Sequence, residues 1–206
     1  MRLISVLLCL LFITSLRSQI TKDNWLLGGS AKFSSSNQET VVSTGTQKST
    51  YLNYSIAPNI GYFFWDKFAA GLKSGLTKGK ADYGDLRQGG VAVASGGYSN
   101  ATWFDFGPFV RYYFLSAERQ FNLIAEGNYM YGIASLHPGR GTRQNYSFNA
   151  GPVIYFNSSV GLEFTVGYSS ERTKLFHPDT KELVLSSKIT ALQVGLGFQF
   201  YLERDK

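Results

Sequence analysis

Few side chains in this sequence have types and spacing that could do chemistry. His137 and His177 each precede a proline, and an imidazole there could act as a general base in acyl transfer if a nucleophile and an orienting group lay within reach. No His-x-Ser pair follows either one, so both read as exposed turn residues. Glu126 and Glu163 could be imagined as paired carboxylates for acid–base work, but lysine and arginine share their face, and carboxylates in such company are usually members of ion pairs. Gly195-Leu-Gly197 lacks the following helix that a nucleotide-binding turn requires. Asn-x-Ser/Thr occurs at Asn53, Asn100, Asn145 and Asn157, a match that needs only one chance hydroxyl. The sequence therefore predicts no catalytic residue, no metal ligand set and no cofactor.

The charges that remain are arranged by alternation. In the stretch DFGPFVRYYF, residues 105–114, strand periodicity puts Phe106, Pro108, Val110, Tyr112 and Phe114 on one face and Asp105, Gly107, Phe109, Arg111 and Tyr113 on the other. The same pattern recurs along most of the chain and predicts eight strands near residues 25–34, 51–64, 67–77, 101–114, 121–133, 145–156, 160–170 and 187–202. Their polar faces are rich in glycine and carry only six charges: Lys32, Lys73, Asp105, Arg111, Glu126 and Glu163. A face open to water would be roughly 25–35% charged. Small residues with three positive and three negative charges suit the crowded inside of a narrow barrel, where each charge needs a partner. Arg111 and Glu126 are the best pair, as diagonal neighbours if Phe114 pairs with Phe121.

The opposite faces are Leu, Ile, Val, Phe and Tyr, as in Leu192, Val194, Leu196, Phe198 and Phe200, and lipid is their natural partner. Aromatic runs at Tyr62–Trp65, Tyr112–Phe114, Tyr155–Phe156 and Phe198–Tyr201 mark one interface, and Tyr51, Tyr54, Trp103, Tyr129, Tyr146 and Tyr168 the other. Connections alternate in length. Those at 65–66, 116–120 and 157–159 are short, while 35–50, 78–100, 134–144 and 171–186 are long and polar. Pro58, Pro108 and Pro152 recur at one height, and the missing ladder donor predicts a bulge or bend at each.

Residues 1–18 stand apart. Met1 and Arg2 precede the apolar run Leu3–Ile13, then small and polar residues up to Ser18, which reads as a secretory signal peptide too short to span a bilayer. Its removal takes away the single cysteine, Cys9, and leaves 18 basic against 14 acidic residues. That mild excess, without a basic run, argues against nucleic acid as a partner. Residues 19–206 form one domain.

The signal segment, strand layout, Pro-x-Ile/Val blocks and aromatic strand ends together resemble the small bacterial outer-membrane barrels, the OmpA/OmpX-like eight-stranded family and the PorT-like barrel domain. The resemblance implies an all-β, eight-stranded antiparallel up-and-down transmembrane β-barrel in the outer membrane, in contact with its lipids and with the barrel-insertion machinery. It implies a non-enzymatic protein whose loops contact lipid, matrix or a partner protein; a narrow solute pore or an accessory to protein secretion are the alternatives. Members often end on an aromatic residue, whereas here Phe200 and Tyr201 are followed by Leu-Glu-Arg-Asp-Lys. Arg140 and Arg143, in a long connection, are either solvated or in contact with lipopolysaccharide phosphates.

Overall fold

The computed structural model describes residues 20–203 apart from 43, 44, 137, 138, 178 and 179, so the expected signal segment and His137 lie outside the described residues. The chain forms an antiparallel sheet of β1 (Trp25–Val42), β2 (Gly45–Trp65), β3 (Phe68–Gln88), β4 (Val91–Ala94), β5 (Gly97–Tyr113), β6 (Phe121–Leu136), β7 (Gly139–Asn157), β8 (Val160–Phe176) and β9 (Leu183–Leu202). β1 pairs with both β2 and β9, and every other long strand pairs with its two neighbours in sequence, so the sheet closes into an eight-stranded barrel. β4 is a short added hairpin arm on β3, turned by Gly89 and Gly90 at φ 58° and 88°.

The wall is built as the alternation predicts. On β5, Phe104, Phe106, Val110, Tyr112 and Phe114 at its end point out and stay exposed, while Trp103, Asp105, Phe109, Arg111 and Tyr113 are buried. On β9, Leu192, Val194, Leu196, Phe198 and Phe200 form an exposed apolar file, with Leu192 at 74% exposure. Such a continuous apolar exterior is untenable in water and matches hydrocarbon, which only a closed barrel or a helix can cross with its backbone satisfied.

The strands are longer than predicted. Most of the long polar connections are strand, since β1 continues to Val42, β3 to Gln88, β5 begins at Gly97 and β8 runs to Phe176. Beyond the membrane both faces of a strand meet water, so the apolar–polar alternation disappears while the ladder between hairpin neighbours continues. The closing seam differs: β1 and β9 pair only from Trp25↔Leu202 to Phe33↔Val194, whereas β1 pairs with β2 along its whole length.

The prolines do not make bulges. Pairing continues at the same register on either side of Pro58, Pro108 and Pro152, and the shifts lie near strand ends, as at Phe63/Trp65 and Tyr155/Asn157. Each proline pairs on one side and leaves a gap on the other. By register Tyr129 lies opposite Pro108 and Phe164 opposite Pro152, so their carbonyls have no N–H donor there. Both carbonyls lean over the preceding glycine: a Cβ at Gly107 would sit 1.9 Å from the oxygen of Tyr129, and one at Gly151 would sit 1.9 Å from that of Phe164. Glycine is required because the neighbouring backbone occupies the place of its side chain.

Gly151→Ala should therefore destabilise the barrel by about 1–3 kcal/mol, read from urea unfolding in lipid vesicles, while Gly97→Ala, with nothing within 4 Å of its Cβ site, should be neutral. A protease site inserted between Gly89 and Gly90 should be cleaved on intact cells. One inserted at the two-residue turn Asp66–Lys67, at the opposite end of the barrel, should not.

Candidate functional site

The inward faces fill the lumen in layers, beginning at the short-turn end with an aromatic plug. Phe63, Tyr113, Tyr155 and Tyr201 are fully buried with Leu26, Ile124 and Val153, and Ile20 from the segment before β1 packs among them. The ring pairs Phe63–Tyr113, Tyr155–Tyr201 and Tyr113–Tyr201 stand 5.7, 5.5 and 6.1 Å apart. The N–H of Lys67 donates to the Ile20 carbonyl at 2.8 Å, tying the N-terminal segment to the β2–β3 turn. The sequence reading placed whole aromatic runs in the membrane interface; alternate members belong to this plug instead. Phe63 and Phe64 are adjacent and identical in kind, yet one is buried and the other 48% exposed.

Directly above lies a layer of ions. Arg111 and Glu126 are directly opposite each other on β5 and β6, not diagonal, because Tyr113 pairs with Ile124 and the Phe114 N–H donates to the Leu123 carbonyl at 2.9 Å, two residues from the expected partner Phe121. The carboxamide of Asn122 accepts from the N–H groups of Leu115 and Leu123 at 2.8 and 2.9 Å and so holds the wider turn. Arg111 donates from Nε and Nη2 to Oε2 of Glu126 at 3.0 and 2.6 Å, and from Nη1 to Oε1 of Glu163 at 2.6 Å. Lys73 closes the layer through an ion pair with the other oxygen of Glu126. Gln199 donates to Glu163 at 3.4 Å and exchanges hydrogen bonds with Asn59 at 3.1 and 3.2 Å. Phe109 lies beneath both cations, 5.1 Å from the Lys73 ammonium and 5.8 Å from the Arg111 guanidinium.

A second ionic layer forms nearer the long-strand end, around a residue the sequence reading misplaced. Arg143 is not a loop residue in contact with lipopolysaccharide; it lies on β7 and points inward, 7% exposed. Its Nε donates to Oδ1 of Asp105 at 2.7 Å, Nη2 bonds the second oxygen of Asp105 and Thr77 Oγ1, and Nη1 reaches Glu171 at 3.4 Å. The Trp103 ring stacks 4.9 Å from the guanidinium. A Cβ at Gly132 would lie 2.0 Å from Oδ1 of Asp105, so the glycine makes room for this pair. Tyr51 and Trp103 thus belong to the lumen and not to an outer aromatic belt, whereas Tyr54, Tyr146 and Tyr168 are outward and exposed. Arg140 lies on β7 with its side chain outside the described residues.

Of the six predicted lumen charges, five enter ion pairs, divided between the two layers. Asp105 and Arg111, close in sequence, belong to different ones. Lys32 is the exception: among the described residues its ammonium meets the amide oxygen of Asn149 at 3.4 Å, shared with Gln193 at 2.6 Å. With Arg143 and Glu171, these described lumen charges balance, four cations against four carboxylates. The parity of the predicted strand 145–156, carried back two residues from Asn145, would have placed Arg143 inside. Above the second layer the lumen opens into a polar vestibule of about 440 Å³, lined by Tyr51, Asn53, Tyr83, Trp103, Asn145 and Glu171 among others.

In these layers the described residues bring together no nucleophile, base and orienting group. Among the described residues no group of three His, Cys, Asp or Glu could hold a metal ion, and His177 is exposed with its ring nitrogen facing the Thr180 N–H at 3.4 Å.

No protein-family model matches the sequence, and no curated protein sequence matches it. Solved structures do. The outer membrane protein OprG from Pseudomonas aeruginosa is 12% identical, with a TM-score of 0.59 over 91% of this chain and 100% of that one. Neisserial surface protein A is 12% identical, with a TM-score of 0.44 over 86% and 96% of the two chains. The N-terminal barrel domain of Pseudomonas aeruginosa OprF is 12% identical, with a TM-score of 0.40 over 87% and 98%. The likeness to OprG establishes a shared fold, the eight-stranded barrel of outer-membrane proteins.

Arg111→Met should cost about 3–5 kcal/mol, because it leaves buried carboxylates without their cation. Among the described residues Glu126 keeps Lys73, whereas Glu163 keeps the amide of Gln199 and no cation. In double-mutant cycles on urea unfolding in vesicles, Glu163→Gln should therefore recover more of the loss than Glu126→Gln does. Equal recovery would mean that Lys73 does not hold Glu126.

Proposed function

We propose that the protein is a non-enzymatic outer-membrane barrel, delivered by its signal peptide and the insertion machinery, whose lumen is closed and whose long strand extensions offer the contact surface. The observation that carries this reading is the succession of plug and ion layers. A solute passing the short-turn end would have to displace Phe63, Tyr113, Tyr155 and Tyr201 together and then separate Arg111 from two carboxylates. Breaking a buried ion pair costs several kcal/mol, and an eight-stranded barrel has little width to move it aside. Outer-membrane location is supported by the apolar exterior and by the fold shared with OprG.

Three experiments test this. Purified protein in a planar bilayer should show no stable conductance steps, and Arg111→Ala combined with Tyr113→Ala should introduce them; steady conductance by the wild type would favour the narrow-pore reading instead. Fractionation should recover the protein in the outer membrane, with faster migration on gels when unboiled than when boiled. A secretion defect on deletion of the gene, with barrel assembly of other proteins intact, would favour the accessory role in secretion.

A further inference from the structure

The outer wall is dented where the barrel closes. Around Ala31, which offers only a methyl group to the exterior, the larger side chains of Phe33, Ile56, Leu76, Val194 and Leu196 border an apolar groove of about 840 Å³. The register explains its course. Phe164, Leu196, Ala31, Ile56 and Leu76 lie side by side on five consecutive strands, β8, β9, β1, β2 and β3. Four strand spacings make a trough about 19 Å long, comparable with the roughly 15 Å depth of one leaflet's hydrocarbon.

The groove ends on a cation. The next row, Val194, Phe33, Tyr54 and Lys78, places Lys78 at its β3 end, where it lines the groove. Lys80 follows two residues on, on the same outward face, and both are exposed where the apolar file of β3 gives way to polar strand. On the other side of the seam Arg172 and Lys188 are paired neighbours on β8 and β9, exposed at the same side of the apolar belt. None of the four has an ion-pair partner among the described residues. An apolar trough leading to unpaired cations at headgroup level complements one kind of molecule, an amphiphile with an acyl chain and an anionic head.

We propose that this groove is a binding site for a phosphorylated glycolipid of the outer leaflet, with one acyl chain over Ala31 and a phosphate held by Lys78 and Lys80. The proposal rests on the membrane reading above. It moves the expected lipopolysaccharide contact from Arg143, which is buried in the lumen, to the wall beside the closing seam. Phosphate accepts from lysine as a point charge and needs no fixed geometry, which suits two flexible side chains at an interface.

The test is native mass spectrometry of the purified barrel incubated in detergent with bisphosphorylated lipid A, with dephosphorylated lipid A, or with phosphatidylethanolamine. Wild type should retain one bisphosphorylated lipid A in preference to the other two. Lys78→Gln should weaken retention about fivefold, and Lys78→Gln with Lys80→Gln about 25-fold, from roughly fivefold per cation at an anionic surface. Ala31→Phe should abolish retention with both lysines in place, because it fills the groove from outside; Ala31→Leu should reduce it, and both variants should keep the boiled–unboiled gel shift. Equal retention of the three lipids, or unchanged retention by Ala31→Phe, overturns the site. Failure of wild type to float with neutral vesicles would instead overturn the membrane reading, independently of the lipid comparison.

Discussion

The rest of the molecule is arranged around the guanidinium of Arg111. From β5 it reaches Glu126 on the neighbouring strand and Glu163 on β8, and through Glu126 it is joined to Lys73 on β3. A charge at this depth is tolerable only when its hydrogen-bonding positions are filled, and each partner brings the same demand. The need is met across the lumen, so walls that do not touch through their backbones are held at a set distance. Interior glycines follow from this narrowness: Gly197 leaves room for Glu163, Gly132 for Asp105 and Arg143, Gly61 for Phe109, and Gly161 for the aromatic plug.

The two ends of the lumen are built by opposite means. At the short-turn end aromatic rings exclude water, and the hydroxyls of Tyr113 and Tyr201, 3.2 Å apart, face the Arg111 layer. Towards the other end, Ser, Thr and Asn side chains line an open vestibule whose floor is the Arg143–Asp105 pair. Polarity thus rises along the axis, so the ion layers lie between a dry floor and a wet mouth.

Much of this was legible in the sequence wherever one face of a strand met lipid. The hydrocarbon enforces alternation there, and Lys32, Lys73, Asp105, Arg111, Glu126 and Glu163 could be placed inside by counting in twos. Legibility failed where that contrast was absent. Past the membrane both faces are polar, so Arg143 and Glu171 were read as loop although their strand continues inward and outward in step. In the aromatic runs both faces are apolar, so the composition hides what parity carried on from Ile60 and Tyr62 gives, Phe63 inside and Phe64 outside. Register was also out of reach, because the β5–β6 connection depends on the side chain of Asn122, and the Arg111–Glu126 contact was found despite a misplaced ladder.

The closing ladder has a consequence for how the molecule comes into being. Its pairs join Trp25 to Leu202 and Phe33 to Val194, residues from the two ends of the chain, whereas the other long ladders join strands that follow one another or are separated only by the small β4 arm. Hairpins can form as local events, each at modest entropic cost, but closure must wait for the last strand to meet the first across the whole length of the domain. Until then β1 and β9 are two open edges with unpaired amides, unable to rest in hydrocarbon or safely in water. Assembly therefore ends late, when the two edges meet and the first and last strands zip together.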